Sequence, residues 1–193
     1  MLLTKLHIPA ASDGVVPRPL LFERLNTGLS RKLILISAQA GFGKTTLLSN
    51  WISTQAIPTA WFSIDKGDND PVAFLSYIIS GIQGISKEFG EGALKLLKSP
   101  TTPSVESTIN LLINDILTIK ENFLLVLDDF HLISSIEILR LVTYLLEHIP
   151  DNIHIVILTR SDPALPIARL RSQHQLLELR SSDLSFSAND ISI

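Results

Sequence analysis

With 193 residues, 46% of them hydrophobic, the chain is long enough for one sizeable core and too short for two ordinary domains. A net charge of −3 excludes the broad basic footprint that grips nucleic acid. The absence of cysteine excludes disulfides, thiolate-bound zinc and a cysteine nucleophile, and fits a reducing cytosol.

The opening MLLTKLHIPAA meets Lys5 and His7 too early to form the apolar region of a signal peptide, and no apolar run approaches the ~20 residues that span a bilayer. A soluble, cytoplasmic protein with no membrane partner is expected. Residues 1–30 read as an irregular arm broken by Pro9, Gly14, Pro17 and Pro19, with a short helix near LLFERLNTGL. Five runs then read as strands, at 33–37, 60–64, 123–127, 154–158 and 175–179. Their apolar residues are nearly continuous, as in strands covered on both faces by helices. Asp70 before Pro71 and Asp162 before Pro163 read as N-caps followed by proline in the first turn, and Ser134 with Glu137 as a capping box. Ile109, Leu112, Ile113, Ile116 and Leu117 form a stripe at helical spacing. The segment 87–104, with Gly90, Gly92, Pro100 and Pro103, is the candidate for a mobile insertion that carries partner contacts. Asp65, Asp68 and Asp70 form an acidic cluster whose Gly, Asn and Pro neighbours read as turn chemistry rather than a second metal site. Strands alternating with helices predict right-handed crossovers and an α/β, three-layer domain with a mostly parallel five-stranded sheet over 31–193, behind the arm of 1–30.

Within that frame AQAGFGKT, Ala38 to Thr45, follows a strand and precedes a helix, the setting of a phosphate-binding P-loop. Gly41 and Gly43 permit a turn whose backbone amides face phosphate oxygens, and the helix N-terminus adds its positive dipole end. Ala40, Gly41, Phe42, Gly43, Lys44, Thr45 and Thr46 are the candidate nucleotide contacts: Lys44 for the β- and γ-phosphates, the Thr45 hydroxyl for Mg²⁺. Ala38 replaces the usual first glycine, a minor departure. FLLVLDDFH has the Walker B pattern, which completes a P-loop NTPase of the ASCE type. Asp128 is the second metal ligand, opposite Thr45. Asp129 either orients and deprotonates the attacking water or is a turn or cap residue. Arg160, ending the next strand, either contacts the γ-phosphate as a catalytic arginine or pairs with Asp162 or Asp129; Thr159 could add a hydroxyl contact. His131 relays a proton, senses phosphate or is structural.

Taken in order, TKLHIP, VPRPLLFERL, SAQAGFGKTTLLSNW, AWFSIDKGDNDPVAFLSYII, LVLDDFH, ILTRSDPALPIARLR and LELRSSDLSF carry a family likeness. They resemble the ATPase core, NB-ARC-like or NACHT-like, of STAND proteins (signal-transduction ATPases with numerous domains) in the MalT-like branch of LuxR-type transcriptional regulators. The likeness spans nearly the whole chain and is least distinct over 85–120. It implies an ATP/ADP switch with ADP held in a closed resting state, exchange promoted by an inducer, and self-association in the ATP state. It also implies that Val16, Pro17 and Arg18 lie against adenine or its ribose and that Arg160 is a sensor arginine. Gln39 stands where proline is common in these loops. Such proteins continue into a winged helix, a helical-repeat sensor and a helix-turn-helix. The chain stops at DLSFSANDISI, where a helix is starting, so a fragment is expected that contacts those parts and binds no nucleic acid itself. The leading expectation is a weak ATPase used as a switch. The alternatives are a small-molecule kinase or other phosphotransferase, and a nucleotide-binding scaffold that does not hydrolyse.

Overall fold

Five short, largely apolar runs form the strands: β1 Leu33–Ser37, β2 Thr59–Ser63, β3 Phe123–Asp128, β4 Ile153–Thr159 and β5 Leu176–Arg180. In the computed structural model, which describes residues 1–11, 16–99 and 105–185, they pair side by side in the order β2-β3-β4-β1-β5, every pair parallel. Every residue of β1, β3 and β4 is buried, which explains the unbroken hydrophobic runs. β4 sits between the P-loop strand and the Walker B strand, the ASCE arrangement.

The chain leaves β1 through α2 (Lys44–Ser53) to β2 at one edge of the sheet, then returns through β3 and β4 to β5 beyond β1. α1 (Pro19–Gly28) and α2 cover one face, where Ile34, Ile36, Val156 and Leu158 meet Leu25, Leu48 and Trp51. α3 (Pro71–Gln83), α4 (Glu91–Leu97), α5 (Val105–Ile116), α6 (Ile136–His148) and α7 (Ile167–Ser172) belong to the other layer, over Leu33, Leu35, Leu125, Ile155 and Ile157. This alternation of neighbouring strand residues between two cores gives the three layers. α8 (Ser181–Leu184) follows β5. No helix among the described residues is long and apolar enough to cross a membrane.

Several local expectations change. Asp70 does cap α3, accepting from the Ala73 amide at 2.8 Å. Asp162 caps nothing: α7 starts only at Ile167 after Pro166, and the Asp162 carboxylate is taken by Arg180 and by the Ser37 hydroxyl at 3.2 Å. At α6 the cap is Ser135 rather than Ser134, because Asn69 draws the Ser134 amide and hydroxyl into its own hydrogen bonds. The described part of 87–104 is packed rather than a free insertion, since Phe89 and Ala93 are buried and the Gly90 amide donates to Asp115. Gly14, Pro100, Pro103 and the stretch after 185 lie outside the described residues.

Candidate functional site

β1 ends at Ser37, and Ala38 to Gly43 turn the chain into α2, whose first residue is Lys44. Gly41 and Gly43 have φ of +86° and +70°, and a Cβ built on either would meet nothing within 4 Å. The glycines are therefore dictated by backbone conformation, and the space above the loop is open. No side chain caps α2, which leaves its first amides for a ligand at this mouth. The Lys44 side chain folds back, its Nζ donating to the carbonyls of Ala38 at 2.7 Å and Gln39 at 3.0 Å. Burial, with Arg160 nearby, holds its pKa below the usual lysine range, against the opposing pull of Asp129 and Asp128.

β3 brings Asp128 to the same edge, where the Thr45 hydroxyl donates to its Oδ2 at 3.2 Å. Burial first, and Asp129 second, push the Asp128 carboxyl up to about 6; hydrogen bonds from Thr45 and from the Asp129 amide at 2.8 Å oppose the rise. Asp129 takes the left-handed conformation, φ +56°, uncommon for a residue with a side chain. It opens a short 3-10 helix, Phe130–Leu132, whose Phe130 is buried. His131 Nδ1 lies 3.7 Å from Asp129 Oδ1 and has no hydrogen-bond partner among the described residues. Burial lowers the His131 pKa, with Arg160 adding to the effect.

Arg160 follows β4 and is exposed; among the described residues it forms no ion pair, Asp162 being held by Arg180. Thr159 is fully buried and its hydroxyl donates to the Ser161 carbonyl at 2.7 Å, so the expected contact to a phosphate does not form from this position. The three carboxylates of the second acidic cluster are also engaged: Asp65 and Asp68 each lie 2.7 Å from Lys5, and Asp70 caps α3.

From the P-loop an apolar cavity of about 510 Å³ runs toward the arm. Val16, Pro17, Arg18, Leu21 and Phe22 form one wall, Ala40 to Gly43 with Thr46, Leu47 and Asn50 another, and Leu184 with Ser185 a third. Arg18 holds the last wall in place, donating to the carbonyls of Leu184 and Asp183 at 3.0 Å each, while Arg24 pairs with Asp183 at 2.6 Å. The structure thus brings Val16, Pro17 and Arg18 beside the P-loop, and brings Lys44, Thr45, Asp128, Asp129 and Arg160 to one sheet edge. Leu21, Phe22, Asn50, Leu184 and Ser185 were not singled out in the sequence, because an apolar wall built from distant segments leaves no local pattern.

No family model matches the chain. Over 184 residues, 95% of its length, it is 34% identical to the HTH-type transcriptional regulator MalT of Cronobacter sakazakii and of Klebsiella pneumoniae. It is 30% identical over 187 residues to the MalT regulator of Vibrio cholerae, and it spans only 20–21% of the length of these relatives. Among solved structures, a Walker-type ATPase of Pyrococcus abyssi superimposes with a TM-score of 0.58 at 18% identity, covering 98% of this chain and 59% of that one. Cdc6p of Pyrobaculum aerophilum gives 0.52 at 19%, covering 87% and 48%. At such identities these two likenesses speak for the fold alone.

Proposed function

With a P-loop ATPase fold, and related over nearly its whole length to one segment of the MalT-type transcriptional regulators, the chain is one we propose to be the ATP-binding, slowly hydrolysing switch module of such a regulator, working in the cytoplasm. The observation that carries this reading is the 3.2 Å approach of Thr45 to Asp128, beside Lys44, while the flanking Gly43 and Thr46 line a cavity of nucleoside size. A hydroxyl and a carboxylate are hard oxygen donors, and Mg²⁺ is held by one or two such groups together with substrate phosphates, so Thr45 and Asp128 suit it. When bound, the ion supplies Lewis-acid charge to the phosphate oxygens.

The remaining steps belong to the protein. Backbone amides from Ala40 to Thr46 cradle the phosphates, and Lys44 exchanges its two loop carbonyls for β- and γ-phosphate oxygens. Val16, Pro17 and Arg18 flank the base or ribose. Asp129 orients a water and takes its proton as the terminal phosphoryl group passes to that water, giving ADP and inorganic phosphate. Arg160, free of an ion pair among the described residues, meets the charge of the γ-phosphate and so distinguishes ATP from ADP. In this reading loss of that phosphate is the signal, ATP favours self-association, and contacts with other domains of the regulator transmit the state.

Single-turnover hydrolysis of ATP by the purified chain and by Asp129→Asn tests the reading. The parent is expected to release phosphate to water slowly; the variant should bind Mg-ATP as well and turn over slower by a factor on the order of 10² or more. Equal rates in the two proteins would remove Asp129 from the chemistry, and transfer to an added small acceptor would favour a kinase.

A further inference from the structure

Asn69 sits in the loop after β2, the strand next to the one that ends in Asp128, and its carboxamide is saturated. Oδ1 accepts from the amides of Ser134 at 2.7 Å and Ser135 at 3.0 Å and from the Ser134 hydroxyl at 3.3 Å. Nδ2 donates to the carbonyls of Leu132 at 3.0 Å and Lys66 at 3.3 Å. Three of those partners, Leu132, Ser134 and Ser135, span the joint between the 3-10 helix that Asp129 opens and the α6 helix that Ser135 caps.

That joint governs Asp129. Its left-handed backbone is disfavoured for a residue with a side chain and persists where neighbouring contacts fix it. The turn is closed by the Leu132 amide donating to the Asp129 carbonyl at 3.0 Å, and the carbonyl of the same Leu132 is held by Asn69. Buried Phe130 anchors the turn on its inner side. Asn69 is itself set in place: Asp68, next to it, is 2.7 Å from Lys5 and accepts from the Asp65 amide at 2.7 Å. A carboxamide is required, because the site asks one side chain to accept from two amides and donate to a carbonyl at once.

We infer that Asn69 is a positioning residue for ATP hydrolysis, fixing the 129–135 turn so that the Asp129 carboxylate faces the attacking water without itself touching nucleotide. The inference rests on the hydrolytic reading above. Asn69→Ala removes every side-chain bond; Asn69→Asp keeps the accepted bonds from Ser134 and Ser135 and loses both donated ones, to Leu132 and Lys66, which preserves the fold while loosening Leu132.

The test is single-turnover hydrolysis with ATP and ADP affinities measured alongside, and amide hydrogen exchange over 128–135. Asn69→Ala is expected to slow hydrolysis of bound ATP by roughly tenfold to a hundredfold, Asn69→Asp by less, with affinities held and exchange at Ser134 and Ser135 faster in the alanine variant. In an Asp129→Asn background the Asn69→Ala change should add no further loss, since one residue acts through the other. An unchanged rate in Asn69→Ala, or a full additional loss in the double variant, overturns the role of Asn69 while hydrolysis by the parent stands. A parent that does not hydrolyse ATP at all overturns the hydrolytic reading, and this inference with it.

Discussion

Thr45 and Asp128, 83 residues apart in sequence, meet at one sheet edge, and both were legible because each lies in a contiguous pattern with its own strand. Asn69 was not: its partners on the 129–135 turn are 63 to 66 residues away, and in sequence it is indistinguishable from any turn asparagine. Arg160 lies between these cases. Its place after a buried strand put it at the correct edge, but only the structure assigns Asp162 to Arg180 and leaves the Arg160 guanidinium clear of both carboxylates once expected to hold it. A guanidinium that meets the γ-phosphate contributes a charge-assisted hydrogen bond of about 1.5–3 kcal/mol. Arg160→Ala should therefore weaken ATP binding by roughly tenfold or more while leaving ADP unchanged, read by equilibrium titration with each nucleotide. Equal discrimination before and after the substitution would return Arg160 to a solvent-facing role.

Each of the five strands was readable within about a residue at either end, most plainly β1, β3 and β4, where burial on both faces imposes runs of Leu, Ile and Val. Helix starts were less secure, because a cap depends on which competitor takes the hydroxyl or carboxylate: Asn69 displaced Ser134, and Arg180 took Asp162. The arm divides into two attachments. The short 3-10 helix Leu3–Leu6 is fastened at β2 and α3, where Lys5 pairs with Asp65 and Asp68 and the Leu2 amide donates to the Tyr77 hydroxyl at 3.0 Å. Arg18, at the start of α1, instead ties down the end of α8 and closes the cavity. Arg18→Ala should lower affinity for ATP and ADP alike by roughly tenfold, the loss of one or two charge-assisted bonds, without changing the rate at which bound ATP is hydrolysed. A reduced rate at saturating ATP would show that Arg18 acts on the chemistry instead.

At the level of the whole molecule, the sheet order explains why one edge carries every group. The chain steps outward from β1 to β2, reverses, and passes back over β1 to β5, so the ends of β1, β3 and β4 open into one crevice at the point of reversal. Composition and alternating elements were enough to predict that architecture. The apolar cavity was beyond sequence reading, because its walls come from the arm, α2 and the residues after β5, segments that meet only when the sheet brings β5 alongside β1. The measurement that bears most directly on the site is a calorimetric titration of ATP, with Mg²⁺ present, into the parent chain and into Lys44→Ala. In the proposed site the buried Lys44 would supply the principal counter-charge to the phosphates, so the parent should bind and the variant should lose most or all of its affinity. ATP affinity that is the same in both proteins would contradict the assignment of the phosphates to this loop.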